Sequence, residues 1–148
     1  MLAVFKAHNI RYFFYNGGND SMDTAHKISQ MAGAAGYEMR VTGIPKTVDN
    51  DLVETDHCPG FGSVARWMAI AMRDAGRDTE AIANTSTAIK IIEAMGRDSG
   101  WITGATALAK QDPDDAPQLI YLPEVAFEMD KFLNDVQKVY DRLGHVLI

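Results

Sequence analysis

The sequence predicts an α/β fold: a largely parallel sheet with helices on both faces. Short apolar runs of strand length alternate with longer stretches whose apolar residues recur at helical spacing. Breaker motifs follow three of those runs, at Gly17 to Ser21, Lys46 to Asp51 and Met95 to Asp98. In such sheets ligands sit beyond the carboxyl ends of the strands, so these motifs fall where a site belongs.

Each element has its own signal. Arg11 to Tyr15 reads as a short buried strand, and Asn16 to Asp20 as a strong breaker. Met22, Ala25, Ile28 and Ala32 then form one helical stripe, with Asp20 or Ser21 as the expected cap and Gly36 as the stop. Tyr37 to Ile44 is a second strand. From Phe61 to about Arg73 the spacing is helical again, through Val64, Trp67, Met68, Ala71 and Met72. Ala88 to Ala94 alternates as an apolar strand, and Gly100 to Lys110 is a short Ala-rich helix. Gln118 to Leu122 reads as a strand ending at Pro123. Phe132, Val136, Val139 and Leu143 give a last helix its buried stripe. The loop from Asp49 to Gly60 is the expected domain boundary.

At 148 residues the chain is long enough for one ordinary domain, and 47% apolar with 23% charged residues is globular composition. No apolar run spans a bilayer, and Met1 to His8 lacks a signal peptide's long apolar core, so neither an anchor nor a leader is expected. Cys58 is the single cysteine, which excludes an intrachain disulfide and fits a cytoplasmic protein. A net charge of −6 argues against a general nucleic-acid or anionic-membrane binder. Any phosphate site must then be local, built from a few cations and backbone N–H groups.

The densest chemistry lies in Gly43 to Asp51. Pro45 biases Ile44 towards extended geometry. In an extended chain Asp49 and Asp51 share a face, with Thr47 beside them. Paired carboxylates at a strand end suit a metal, a general base, or both; a solvated Asp/Asn turn is the plain alternative. Gly17 and Gly18 let backbone approach a phosphate ahead of a helix N-terminus, or simply make a tight turn. Gly96 permits close approach, and Arg97 can grip phosphate or carboxylate bidentately, or be an ordinary surface cation. Pro123-Glu124 brings a carboxylate to the same edge, or ends a strand. The four histidines show no metal-ligand spacing.

The ordered segments GGNDSMDTA, GIPKTVDNDL, TDHCPGFGS, EAMGRDSGW and LIYLPE resemble the phosphofructokinase family, most closely its pyrophosphate-dependent branch. The resemblance implies two similar α/β domains with the active site between them, and phosphoryl transfer to the 1-hydroxyl of fructose 6-phosphate with Mg2+. It implies a partial phosphate-donor domain over 1–55, a partial sugar-phosphate domain over 56–148, and a homo-oligomer. Asp49 is then the general base, with Thr47 and Asp51 beside the phosphoryl group and metal. Met95, Gly96 and Arg97 form the sugar-phosphate loop, with Arg97 near the reacting centre and Glu124 near the sugar. Gly18, Asn19, Asp20, Ser21 and Lys46 face the donor, and Asn19 and Asp51 the metal.

ATP-using members commonly have Gly at the positions of Asp20 and Lys46. Asp20 would repel a nucleotide's α-phosphate, and Lys46 can bind pyrophosphate as a point charge. Asn19 departs from the family's usual Asp, keeping an oxygen but losing the charge. The nearest alternative is the ATP-dependent enzyme. A different class is a non-catalytic sugar-phosphate-binding subunit, against which Asp49 argues. The family's early phosphate loop is expected before residue 1, and further sugar contacts beyond Ile148. By that expectation the chain is the middle of a longer protein, and alone is marginally stable or self-associating and catalytically silent.

Overall fold

The computed structural model describes residues 1–83, 85 and 87–148. The chain divides into two compact units, Met1–Thr47 with Leu52–Gly60, and Val48–Asp51 with Phe61–Ile148.

The first unit is a βαβ arrangement preceded by a short helix. Helix α1 (Leu2–Ala7) leads to β1 (Tyr12–Gly17), α2 (Asn19–Ala34) and β2 (Arg40–Pro45). The strands run parallel, in register from Tyr12 opposite Arg40 to Gly17 opposite Pro45. Arg11 joins the pairing by accepting the Arg40 N–H at 2.8 Å. Phe5, Ile28, Ala32 and Tyr37 make the core, with Phe13 and Val41 packed on it from the strands. Tyr37 lies ahead of β2 rather than within it. Its buried ring body joins the core while its hydroxyl donates to Phe5 O at 3.0 Å and Ile10 O at 2.8 Å. The Arg11 guanidinium covers the ring at 4.3 Å.

Strand β1 runs through Asn16 and Gly17, which the sequence assigned to a breaker. The helix cap is Gly18, not Asp20 or Ser21. The chain turns straight from strand into helix here, since a Cβ on Gly17 would lie 2.1 Å from Ser21 Oγ. Asp20 sits instead inside the first helical turn, where its charge complements the helix dipole. Helix α2 ends at Ala34, and Gly36 follows with a φ of +60°.

The second unit is built on α3 (Phe61–Ala81), followed by β3 (Ile89–Lys90), α4 (Trp101–Ala105), a 3₁₀ turn (Thr106–Ala109), α5 (Met129–Leu143) and β4 (Val146–Leu147). Strands β3 and β4 pair in parallel. Met68, Met72, Ile102, Ala109, Ala116 and Leu147 form the core. Helix α3 buries residues 65, 68, 72, 76 and 79, a single 3.6-period face. Trp67 is one residue off that face and is 65% exposed, contrary to the predicted stripe. The helix also continues beyond Arg73, because Gly76 packs directly on Ala116: an added Cβ would sit 2.4 Å from the Ala116 Cβ. Helix α5 stops at Gly144, which takes a φ of +75°.

Two predicted strands are shorter or absent. Only Ile89 and Lys90 of the expected 88–94 run are strand, because the neighbour they pair with is itself two residues long. Residues 118–122 form no strand. The Gln118 side chain replaces the backbone there: its Oε1 accepts the Leu147 N–H at 2.8 Å, while Gln118 N donates to Leu147 O at 2.9 Å. No helix among the described residues is long and apolar enough to cross a membrane.

Ile102 is 1% exposed at the centre of this core. Ile102→Ala is expected to destabilise the chain by about 2–5 kcal/mol through lost burial and a cavity. Urea unfolding measures it, and a loss below ~1 kcal/mol would mean that the site collapses freely.

Candidate active site

In the first unit the parallel register carries the ends of β1 and β2 to one place. Gly17 stands opposite Pro45, and Lys46 N donates to Gly17 O at 2.9 Å. Gly18 lies directly against the next residues of the other loop, since a Cβ on it would meet Lys46 O at 3.8 Å and the Thr47 Cβ at 3.9 Å. The structure therefore groups Gly18, Asn19, Asp20 and Ser21 of the α2 N-terminus with Lys46 and Thr47. Asn19, Asp20 and Lys46 are exposed, while Ser21 and Thr47 are half-buried. A helix N-terminus with a lysine beside it is suited to an anion.

In the second unit, Val48 to Asp51 is a turn rather than an extended run. Asn50 is buried and takes a φ of +55°, a left-handed conformation that Asn tolerates. The predicted face sharing by simple alternation of Asp49 and Asp51 thus has no extended backbone to rest on. Both are half-buried, and Oδ1 of each is shielded from solvent.

The Met95 to Gly100 loop ties three of the sequence-predicted positions together. Gly96 has a φ of +125°, and a Cβ on it would fall 2.2 Å from Ser99 O, so only glycine lets the loop fold this tightly. Ser99 Oγ donates to Asp49 O at 3.0 Å. Gly100 N donates to Glu124 Oε1 at 2.7 Å, which fixes the Glu124 carboxylate at the start of α4. Met95 and Arg97 are exposed, and Arg97 Nε lies 3.2 Å from Asp98 Oδ2. The loop lies five residues beyond β3 rather than at its end. The sequence reading singled out Gly96 and Arg97 but not Ser99 or Gly100.

Among the described residues no group of three or more His, Cys, Asp or Glu is arranged to hold a metal ion. Mg2+ commonly takes one or two protein carboxylates and completes its shell with water and substrate phosphates. A half-buried Asp51 with one shielded oxygen fits that mode of binding.

Parallel strands joined through a helix place the molecule among the α/β proteins. A model of the family described as Phosphofructokinase matches residues 1–148, and the chain belongs to that family. It is 53% identical over 148 residues to a pyrophosphate–fructose 6-phosphate 1-phosphotransferase of Xanthomonas campestris pv. campestris, covering 100% of this chain and 35% of that protein. It matches the crystal structure of a pyrophosphate-dependent phosphofructokinase from Marinobacter aquaeolei with a TM-score of 0.86 and 48% identity, over 98% of this chain and 37% of the other. An ATP-dependent 6-phosphofructokinase of Amycolatopsis methanolica is 33% identical over 130 residues, 88% of this chain and 27% of that protein. The chain spans about a third of the length of curated relatives that it matches.

Proposed function

We propose that this chain carries the base and part of the substrate contacts of a pyrophosphate-dependent fructose-6-phosphate phosphotransferase, which makes fructose 1,6-bisphosphate. The observation that carries the reading is the single loop, Met95 to Gly100, that holds both the Asp49 main chain and the Glu124 carboxylate. Phosphoryl transfer asks the protein chiefly to position an acceptor and stabilise charge, and a shared loop is a means of positioning. The relative with 53% identity is named for the same reaction.

In this reading Asp49 takes the proton of the sugar's 1-hydroxyl. Met95, Gly96 and Arg97 hold the sugar phosphate, with Arg97 turned to charge on the reacting group, and Glu124 orients a sugar hydroxyl. The start of α2 at Gly18, Asn19 and Asp20 faces pyrophosphate, Ser21, whose N–H is held by Gly18 O at 3.1 Å, adds its hydroxyl, and Lys46 and Thr47 add a cation and a hydroxyl. Residues 1–55 then belong to the donor side and 56–148 to the sugar side. Asp51, by its carboxylate, and Asn19, by its amide oxygen, are each candidate ligands for Mg2+, which when bound would neutralise charge on phosphoryl oxygens. The same reading makes the protein a cytoplasmic homo-oligomer.

The test is a donor assay on the full-length protein carrying this chain, with fructose 6-phosphate, Mg2+ and either pyrophosphate or ATP. Turnover with pyrophosphate, well above that with ATP, is expected. ATP turnover without pyrophosphate activity would overturn the donor assignment, and no sugar phosphorylation from either would overturn the reaction.

A further inference from the structure

Ser99 is 5% exposed, and its hydroxyl crosses 50 positions of sequence to donate to the Asp49 carbonyl at 3.0 Å. That carbonyl belongs to the peptide between Asp49 and Asn50, and the next torsion, the Asn50 φ of +55°, is a conformation the backbone does not choose freely. Ser99 is itself held from both sides. Gly96, at a φ of +125°, admits the Ser99 carbonyl to a space that any side chain would fill. Gly100 N–H is fixed on Glu124 Oε1 at 2.7 Å. A buried hydroxyl on a clamped loop thus tethers the main chain of the turn that carries Asp49, and losing that tether frees the turn, and the Asp49 side chain with it, to shift.

We infer that Ser99 is a positioning residue, which sets the orientation of Asp49 and couples it to the loop carrying Met95, Gly96 and Arg97. The inference rests on the reading of Asp49 as the base. Ser99 touches no reacting atom in it; the hydroxyl acts through the Asp49 peptide. Order in the sugar loop and readiness of the base then become one event rather than two, so an empty or disordered loop leaves the base misaligned.

A double-mutant cycle in the full-length protein carrying this chain tests this. Ser99→Ala is expected to lower kcat about tenfold, the scale of one hydrogen bond or a small misplacement of a reacting group. In the Asp49→Asn background the same change is expected to alter kcat by less than about twofold, because the group that it positions is already gone. Ser99→Cys keeps a donor at the same branch point, weaker and slightly larger, and is expected to fall between; it replaces Ser99→Ala in the cycle if thermal melting shows that the alanine variant does not fold. Equal losses with and without Asp49 would assign Ser99 a merely structural role and overturn the inference, as would an unchanged kcat in the single variant. Near-normal turnover in Asp49→Asn alone would remove the base reading and this inference with it, whereas a large fall there beside an additive cycle removes only the Ser99 step.

Discussion

Asp49→Asn in the full-length protein carrying this chain is expected to lower kcat by about 10²–10⁴, the usual contribution of a general base. The substitution preserves shape and removes only the proton acceptor. Asp49 is half-buried, and its main chain is anchored through Ser99 rather than through the carboxylate alone, so the turn should survive the change. The KM for fructose 6-phosphate should move far less than kcat, because Met95, Gly96 and Arg97 would still hold the sugar phosphate. Steady-state kinetics with both substrates varied supplies the measurement. A variant that turns over within a few-fold of the parent would place the base elsewhere.

The second large effect concerns the phosphate donor. Asp20 lies in the first turn of α2 and Lys46 just past β2, and the Lys46 N–H bond to Gly17 O holds these two loop starts in one register. Both side chains are exposed, beside the helix start proposed to take the donor. Like charges brought together cost several kcal/mol, and each 1.4 kcal/mol is a factor of ten. Replacing both residues by Gly should therefore raise the ratio of ATP to pyrophosphate activity by about 10², mostly by losing pyrophosphate affinity and removing the α-phosphate clash. Initial rates with each donor decide it. An unchanged ratio would place donor choice outside these positions.

The sequence was most legible where a single rule governs. The order β1, α2, β2 followed from an apolar run, a stripe at Ala25, Ile28 and Ala32, and a second run, because local pairing in a βαβ unit matches local pattern. It was least legible where tertiary contact overrides propensity. The helical spacing was read only to about Arg73, yet the helix runs on through Gly76, which is a close contact inside it. Trp67 looks like core and faces outward, because a stripe read without its partner can be off by one residue. Helix α1, with six residues, is too short to announce a period. Of the candidate positions, Gly18 to Ser21 and Lys46 to Thr47 follow the ends of β1 and β2, where strand pairing puts them. Ser99 was not found: a serine in a polar loop carries no mark of the partner fifty positions away.

Gln118 shows how a strand two residues long can still have an address. Its backbone N–H and side-chain oxygen grip both sides of Leu147, and its Nε2 holds Asp114 O at 3.0 Å. An ordinary ladder repeats along its length, so it can slide by two residues and find equivalent partners. A grip made by one amide side chain has no equivalent one step away. The alignment of β4 is thereby written into a single letter of the sequence, and insertions between Gln118 and Leu147 must be absorbed by the loops rather than by slippage of the strand.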